Sequence, residues 1–273
     1  MTAGSGGQAA PSPEPEPALE QAPPPAAAPD PWLVAAAAMV FVGDPGHPVV
    51  ADDEVRHLLD VLRLRAGEPV AVSDGAGRWA PCRVAAGAPS RGSRADGAAL
   101  LVPDGPVVGV TRPEPALTVA FAPTKGDRPE WVAQKLTELG VDTIVPLRTA
   151  RSVVRWDGER GERQVERLRR VAREAAAQSR RVWLPEVTGV VRPDGLAAAA
   201  GAPAFLADPG GPPPDATVRV VAVGPEGGWD GDERDAATGT LGLGPTVLRA
   251  ETAAVVAGAL LCALRCSIVL PLA

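Results

Sequence analysis

Two short punctuated segments near the carboxyl end carry the residues best suited to chemistry. The first, Gly224-Pro225-Glu226-Gly227-Gly228, interrupts a β-type apolar run made by Val218, Val220, Val221, Ala222 and Val223. Three glycines and a proline in five residues force a sharp turn and leave little side-chain bulk, so a flat ligand can approach main-chain N–H and C=O groups closely. Asp230, Asp232 and Glu233 follow, acidic residues suited to the first turn of a helix, where the dipole favours them. The second segment passes through Leu243-Gly244-Pro245 and Val247-Leu248 to Arg249-Ala250-Glu251-Thr252-Ala253, which opens an apolar helix. Composition alone is equally compatible with two ordinary strand-to-helix loops of an α/β domain, because a glycine-rich loop is a weak signal.

Other chemistries are disfavoured. Cys82, Cys262 and Cys266 form no CxxC pair, so neither a zinc knuckle nor a disulfide framework is indicated. Buried, reduced thiols in a cytoplasmic protein are the expectation. His47 and His57 are the only histidines, too few for a histidine cluster, and no metal site is expected. A net charge of −6 argues against a chain that coats nucleic acid indiscriminately. Charge is nevertheless uneven. Between Arg148 and Arg181 eleven arginines face five acids, and Val165, Leu168, Ala172, Ala175 and Ala176 recur at helical spacing, so one side packs and the other displays guanidinium groups. That face is either a solvated surface or a contact for RNA backbone, and the excess of arginine in an acidic protein favours RNA.

The order of the pieces is more specific than any one of them. GPEGG, an acidic helix start and then LGPTVLRAETA (243–253) resemble the carboxyl-terminal signature of the SPOUT methyltransferases, most closely the RsmE family of 16S rRNA (uracil-N3)-methyltransferases. KGDRPEWVAQKLTELGV (125–141) and the IVPL strand and RS loop after it are similar to that family's most distinctive segment. EAAAQSR (174–180) and RHLLDVLRLRAGE (56–68) resemble two further family stretches, the latter in a PUA-like domain. The resemblance implies an α/β fold: a knotted parallel sheet with helices on both faces, beside a small amino-terminal PUA-like barrel. It also implies that the two loops lie together in a trefoil knot and hold S-adenosylmethionine (SAM) in a bent shape.

On this resemblance the cofactor falls to Leu206, Val223, Gly224, Pro225, Gly227, Gly228, Leu243, Leu248, Arg249, Thr252 and Ala253. Arg249 is the candidate to steady a deprotonated uracil oxyanion, with a salt bridge to Glu226 or Glu251 as its structural alternative. Glu226 is the candidate base or counter-charge to the sulfonium, or else a loop anchor accepting amide N–H bonds. RNA contacts are expected from Arg56, Arg63 and Arg65 in the first domain and from Lys125, Arg128 and Lys135 after the linker. Arg148, Arg151, Arg170, Arg173, Gln178 and Arg180 complete that set. The partners implied are 16S rRNA or the small ribosomal subunit and a second copy of the chain, with no membrane. Ala177, Thr246 and the single His57 depart from the family pattern. A SPOUT enzyme with another target, such as a ribose 2′-hydroxyl or tRNA, is one alternative, and a non-catalytic RNA-binding scaffold, suggested by Ala177 and Thr246, is another.

Residues 1–38 read as a Pro/Ala-rich disordered and dispensable tail, 39–112 as the small barrel, and 113–273 as the methyltransferase domain. The apolar stretch from Trp32 to Val42 is too short for a membrane span. Asp53 to Leu64 reads as a helix with Leu58, Leu59, Val61 and Leu62 on its buried side, and Asp74-Gly75-Ala76-Gly77 as a hairpin turn. Arg112-Pro113-Glu114-Pro115 marks the linker. Beyond it, strands at Leu117–Phe121, 140–146 and 203–208 alternate with helices, which predicts a parallel sheet. The run from Ala253 to Leu270, apolar apart from Arg265, is expected to be an amphipathic or fully buried terminal helix rather than a membrane anchor.

Overall fold

Period-two burial on both faces dictates the larger sheet. In the computed structural model, which describes residues 30–86 and 100–269, strands β6 (Thr118–Phe121), β7 (Thr143–Pro146) and β10 (Val220–Val223) alternate their side chains between two cores. Val119, Phe121, Val221 and Val223 point to one core, and Ala120, Val220 and Ala222 to the other. A strand buried on both sides is continuously apolar, as these are, and suits the centre of a parallel sheet. The full order is β11-β9-β10-β6-β7-β8, all parallel, with β8 at Glu186–Val187, β9 at Ala204–Ala207 and β11 at Gly239–Leu241.

Helices α3 (Arg128–Leu139), α4 (Gly158–Gln178) and α7 (Ala250–Arg265) cover the first face through Leu136, Leu168 and Leu261. On the second, α5 (Pro193–Ala200) contributes Leu196, which packs with Leu206 and Trp229. The short α6 (Gly231–Asp235) begins with a capping box between Asp230 and Glu233. The expected buried face of α4 is present: Val165, Leu168, Ala172, Ala175 and Ala176 are all inside. No helix among the described residues is long and apolar enough to cross a membrane. The terminal run instead packs as α7, with Arg265 buried against Asp142.

The first domain contains α1 (Pro31–Ala35), β1 (Ala38–Phe41), α2 (Asp52–Arg56), β2 (Pro69–Ser73), β3 (Arg78–Val84), β4 (Leu101–Pro103) and β5 (Val108–Gly109). Its sheet runs β1-β2-β3-β4, with β5 also on β3; among the described residues no pairing closes it into a barrel. The turn after β2 is the expected hairpin, with Gly75 and Gly77 at positive φ and Asp74 Oδ1 accepting from the Ala76 and Arg78 amides.

Two expectations change. Residues 30–38, assigned to the tail, form α1 and the start of β1; Leu33, Ala36 and Ala38 are buried, and Trp32 lies 5.8 Å from Trp79. Their apolar side chains find a surface on Trp79, Ala176 and Val182, which local composition does not reveal. Residues 1–29 and the carboxyl-terminal 270–273 lie outside the described residues. The predicted helix after Asp53 is also altered: α2 widens into a π-type turn at His57–Val61, which swings Val61 and Leu62 outward so that only Leu58 is fully buried.

The two domains are bolted together. Ser73 Oγ donates to the Val182 carbonyl at 3.1 Å, Trp183 Nε1 to that of Val110 at 2.9 Å, and Arg173 Nη2 to that of Phe41 at 3.0 Å. Arg173 also sits 4.8 Å over the Phe41 ring.

Candidate active site

Parallel register brings together three loops that are far apart in the chain. Phe205 pairs with Val221 and Leu206 with Thr240, so β9, β10 and β11 end side by side. Ligands in open α/β sheets settle outside such carboxyl ends. The loops leaving β9 and β11 are held at the closest distance two backbones allow. Gly242 N donates to the Pro212 carbonyl at 2.8 Å and Asp208 N to that of Leu241 at 2.9 Å. A Cβ on Gly211 would stand 2.6 Å from the Leu241 carbonyl carbon, and one on Gly242 would stand 2.5 Å from the Gly211 oxygen. Only glycine fits at this crossing.

Between these loops lies a cavity of about 420 Å³. Ala207, Asp208 and Pro209 line it at and beyond the end of β9; Val223, Gly224, Pro225, Glu226, Gly228 and Trp229 at and beyond the end of β10; and Leu243, Gly244, Thr246, Val247 and Leu248 after β11. Arg249, Ala250 and Ala253, at the head of α7, complete the wall. GPEGG and LRAETA therefore border one cleft. The indole of Trp229 supports the first loop from beneath: its Nε1 donates to the Ala207 carbonyl at 3.1 Å. A Cβ on Gly224 would meet its ring at 2.9 Å.

Arg249 is the N-cap residue of α7 and is exposed at the cavity. Among the described residues neither it nor Glu226 has a side-chain hydrogen bond or ion pair, so the suggested Arg249–Glu226 and Arg249–Glu251 bridges do not form. Glu251 is taken by Arg128, at 3.2 Å. Asp208, on the same wall, pairs with Arg234 at 2.6 Å. No group of three His, Cys, Asp or Glu residues able to hold a metal ion occurs among the described residues.

Three expected cofactor residues stand elsewhere. Leu206 is buried inside the second core, because alternation in β9 turns it away from the loops. Thr252 is exposed on α7 and lines no wall of the cavity. Gly227 faces away from the cavity, where an added Cβ would meet Arg151 Cβ at 3.2 Å. Conversely, Pro209 and Trp229 line the cavity without having been singled out. The tryptophan's position directly after the double glycine was the available signal.

The cationic residues divide into groups. Arg170, Arg173, Gln178 and Arg180 share a groove of about 610 Å³ between the first domain and α4, together with His57 and Leu62. Arg180 is not free to meet RNA there. It donates from Nη1 to the Ala177 carbonyl at 2.8 Å and from Nη2 to those of Ala36 and Ala37 at 2.8 and 3.2 Å, and burial lowers its pKa. Arg151 turns to the cofactor-side loop, donating from Nη1 to the Gly227 carbonyl at 3.0 Å. Lys135 pairs with Glu138 at 2.8 Å and Arg148 with Asp157 at 3.2 Å. Lys125, Arg56, Arg63 and Arg65 are exposed, the last three in the first domain.

Known proteins share this architecture. Residues 112–262 match the family model of an RNA methyltransferase domain, and residues 50–90 that of an RNA methyltransferase PUA domain. The Ribosomal RNA small subunit methyltransferase E of Mycobacterium bovis is 36% identical over 231 residues, covering 77% of this chain and 83% of its own. Its Bacillus subtilis counterpart is 30% identical over 225 residues, covering 75% and 85%. A methyltransferase of Legionella pneumophila, solved with its bound cofactor SAM, superposes with a TM-score of 0.67 at 26% identity, covering 82% of this chain and 96% of the other. A Porphyromonas gingivalis protein described as an rRNA methyltransferase gives 0.68 at 26%, covering 85% and 99%. With a carboxyl-terminal domain match spanning more than half of its length and relatives similar along most of theirs, the chain belongs to the RNA methyltransferase family that includes Ribosomal RNA small subunit methyltransferase E.

Proposed function

We propose that the protein is a SAM-dependent methyltransferase acting on N3 of a uridine in 16S ribosomal RNA. The observation that carries this reading is the single cleft that GPEGG and LRAETA form at the ends of three parallel strands. At about 420 Å³ it is the size of ordinary cofactor pockets. Main-chain groups around Gly224 and Gly228 suit the edge of an adenine, apolar Val223, Leu243, Leu248 and Ala253 suit its faces, and Asp208 and Glu226 suit the cationic portion. Bound there, SAM supplies an electrophilic methyl group.

The protein's own residues do the rest. Uracil N3 carries a proton at neutral pH, so its lone pair appears only when that proton leaves. Arg249, with no competing partner among the described residues, is proposed to hold the negative charge that develops on the adjacent uracil oxygen. Glu226 either accepts the N3 proton or balances cofactor charge. Positioning dominates, and fixing the two reactants can supply on the order of 7 kcal/mol of the barrier. The target base must be unpaired for its Watson–Crick edge to be reached.

RNA backbone is assigned to Arg170, Arg173 and Gln178 in the interdomain groove, and to the exposed side chains of Lys125, Arg128, Arg148, Arg56, Arg63 and Arg65 outside it. The boundary at about residue 112 separates an RNA-holding domain from the methyltransferase domain. A homodimer in the cytoplasm completes the reading, and Val247, 86% exposed on the cavity rim, is the kind of apolar surface a second copy would cover. Nucleoside mapping of 16S rRNA by mass spectrometry, in a deletion strain and its complemented counterpart, tests the reading. Loss and recovery of one 3-methyluridine is expected; loss of a ribose methyl group instead, or no change, refutes it.

A further inference from the structure

We infer that Glu233 is a positioning residue that couples cofactor occupancy to RNA binding, by locking the loop 148–152 to the loop that lines the cofactor cavity. This inference rests on the proposed function. Glu233 is only 8% exposed, yet it lies outside the cavity and touches no expected reactant. Its Oε1 accepts the Ala150 amide at 2.7 Å, across 83 residues of sequence, and its Oε2 accepts the Asp230 amide at 3.1 Å. A second tie lies beside the first, the bond from Arg151 Nη1 to the Gly227 carbonyl. On either side of these anchored residues, the Thr149 and Ser152 hydroxyls meet at 2.6 Å and are buried, so the loop is internally stiff.

The chain of contacts runs on to the cavity. Asp230 follows Trp229, whose ring supports Gly224 and whose Nε1 holds the Ala207 carbonyl; Gly224, Trp229 and Ala207 are all cavity walls. A ligand that presses on this wall therefore presses, through Trp229, Asp230 and Glu233, on the main chain of Ala150. Arg148, in that loop, and Arg155, just after it, border a small polar cavity with Arg192, which Asp194, Asp230, Asp232 and Glu233 line as well. Both Glu233 oxygens are acceptors facing N–H donors, a geometry that only a carboxylate satisfies. An amide at this position must turn its NH2 toward one of the two donors and release either Ala150 or Asp230. Linkage makes the coupling reciprocal: ordering of the loop by the cofactor tightens RNA, and RNA tightens the cofactor equally.

The test uses the full chain, in-vitro-transcribed 16S rRNA and S-adenosylhomocysteine, which fills the cavity without reacting. In the wild type, RNA affinity should rise about 10-fold when S-adenosylhomocysteine is saturating, within the usual range of coupling energies. In Glu233→Gln that ratio should collapse to about 2-fold or less, while S-adenosylhomocysteine affinity measured alone shifts by less than about 3-fold. Arg151→Ala, an exposed change that cannot unfold the core, should lower the ratio in the same direction, and Arg151→Lys should restore part of it. A contact of Arg151 with RNA alone would weaken binding equally with and without cofactor and leave the ratio unchanged. A wild type that binds S-adenosylhomocysteine with RNA affinity indifferent to it overturns the coupling and leaves the proposed function standing. A wild type that takes up no S-adenosylhomocysteine overturns both. A folded Glu233→Gln or Arg151→Ala protein that keeps the full ratio also overturns the inference.

Discussion

Arg181 donates to Asp142 Oδ1 at 3.1 Å, while the other oxygen of the same carboxylate receives Arg265 from the end of α7 and the Leu117 amide. Asp142 is 1% exposed, so two cations from α7 and the chain just past α4 converge on one buried anion at the foot of β7. Arg181 and Arg265 also donate to the carbonyls of Thr137, Val141, Gly140 and Pro115, which ties the interdomain linker into the same knot of charge. Removing the anion leaves buried guanidinium groups short of a counter-charge, which costs about 3–5 kcal/mol in comparable sites. Asp142→Asn should lower the unfolding free energy by that order in urea titration. A loss under about 1 kcal/mol would mean that the carbonyl acceptors suffice.

The crossing of Gly211 and Gly242 yields the sharpest steric prediction. Either glycine changed to Ala drives a Cβ into backbone, which has no rotamer to escape by, and overpacking of this kind costs about 1–3 kcal/mol. Gly242→Ala should therefore lower the melting temperature and weaken SAM binding together, because the loops it separates are cavity walls. Gly231→Ala is the control, since an added Cβ there meets nothing within 4 Å and φ is unstrained. Calorimetric titration with SAM on both variants decides it.

How much of this could be read in the residues depends on whether the signal was local. Small-residue loops and the acidic helix start declare themselves by composition, and the burial of Val165, Leu168 and Ala172 follows from their spacing. β11 does not, since Gly239-Thr240-Leu241 sits in a glycine-rich stretch that reads as loop and becomes a strand only by pairing with β9. Arg180 looked like a phosphate contact because its sequence neighbourhood is basic. Two of its four carbonyl acceptors, those of Ala36 and Ala37, are 144 and 143 residues away. Leu206 was placed in the cofactor site by family resemblance, and strand alternation put it in the core.

Arg249 separates chemistry from binding. Its side chain faces the cavity without a partner among the described residues, so its removal leaves no orphaned anion and should not perturb the fold. Arg249→Ala should keep SAM affinity within a few-fold while kcat falls about 10²–10³-fold, the usual loss for one oxyanion-stabilising donor. Single-turnover methyl transfer to 16S rRNA measures it; an unchanged rate removes Arg249 from the reaction.

Burial of thiols sets an alkaline limit. Desolvation raises both Cys82 and Cys262 from 9.0 to about 11, so each native thiol holds its proton through a range where the unfolded chain loses it. Native protein then binds more protons than unfolded protein between these values. The stabilisation is complete below pH 9 and declines as pH rises towards 11. Two units correspond to about 2.7 kcal/mol per thiol at most. Stability measured in urea should fall across this window, and replacing both cysteines with alanine should flatten the pH dependence while lowering stability at pH 7.

Arg170 and Arg180 occupy one groove but predict opposite outcomes. Arg170 is exposed and has no side-chain partner among the described residues, so it can meet a phosphate. Arg170→Ala should weaken 16S rRNA binding and reduce the slope of log affinity against log salt by about 1, as expected for one lost phosphate contact. The Arg180 guanidinium is committed to four main-chain carbonyls and lies between the two domains. Arg180→Ala should therefore lower the melting temperature and leave the salt slope of RNA binding unchanged. A reduced slope for Arg180→Ala, or an unchanged one for Arg170→Ala, would show that the groove presents its charge differently from the arrangement of these two side chains.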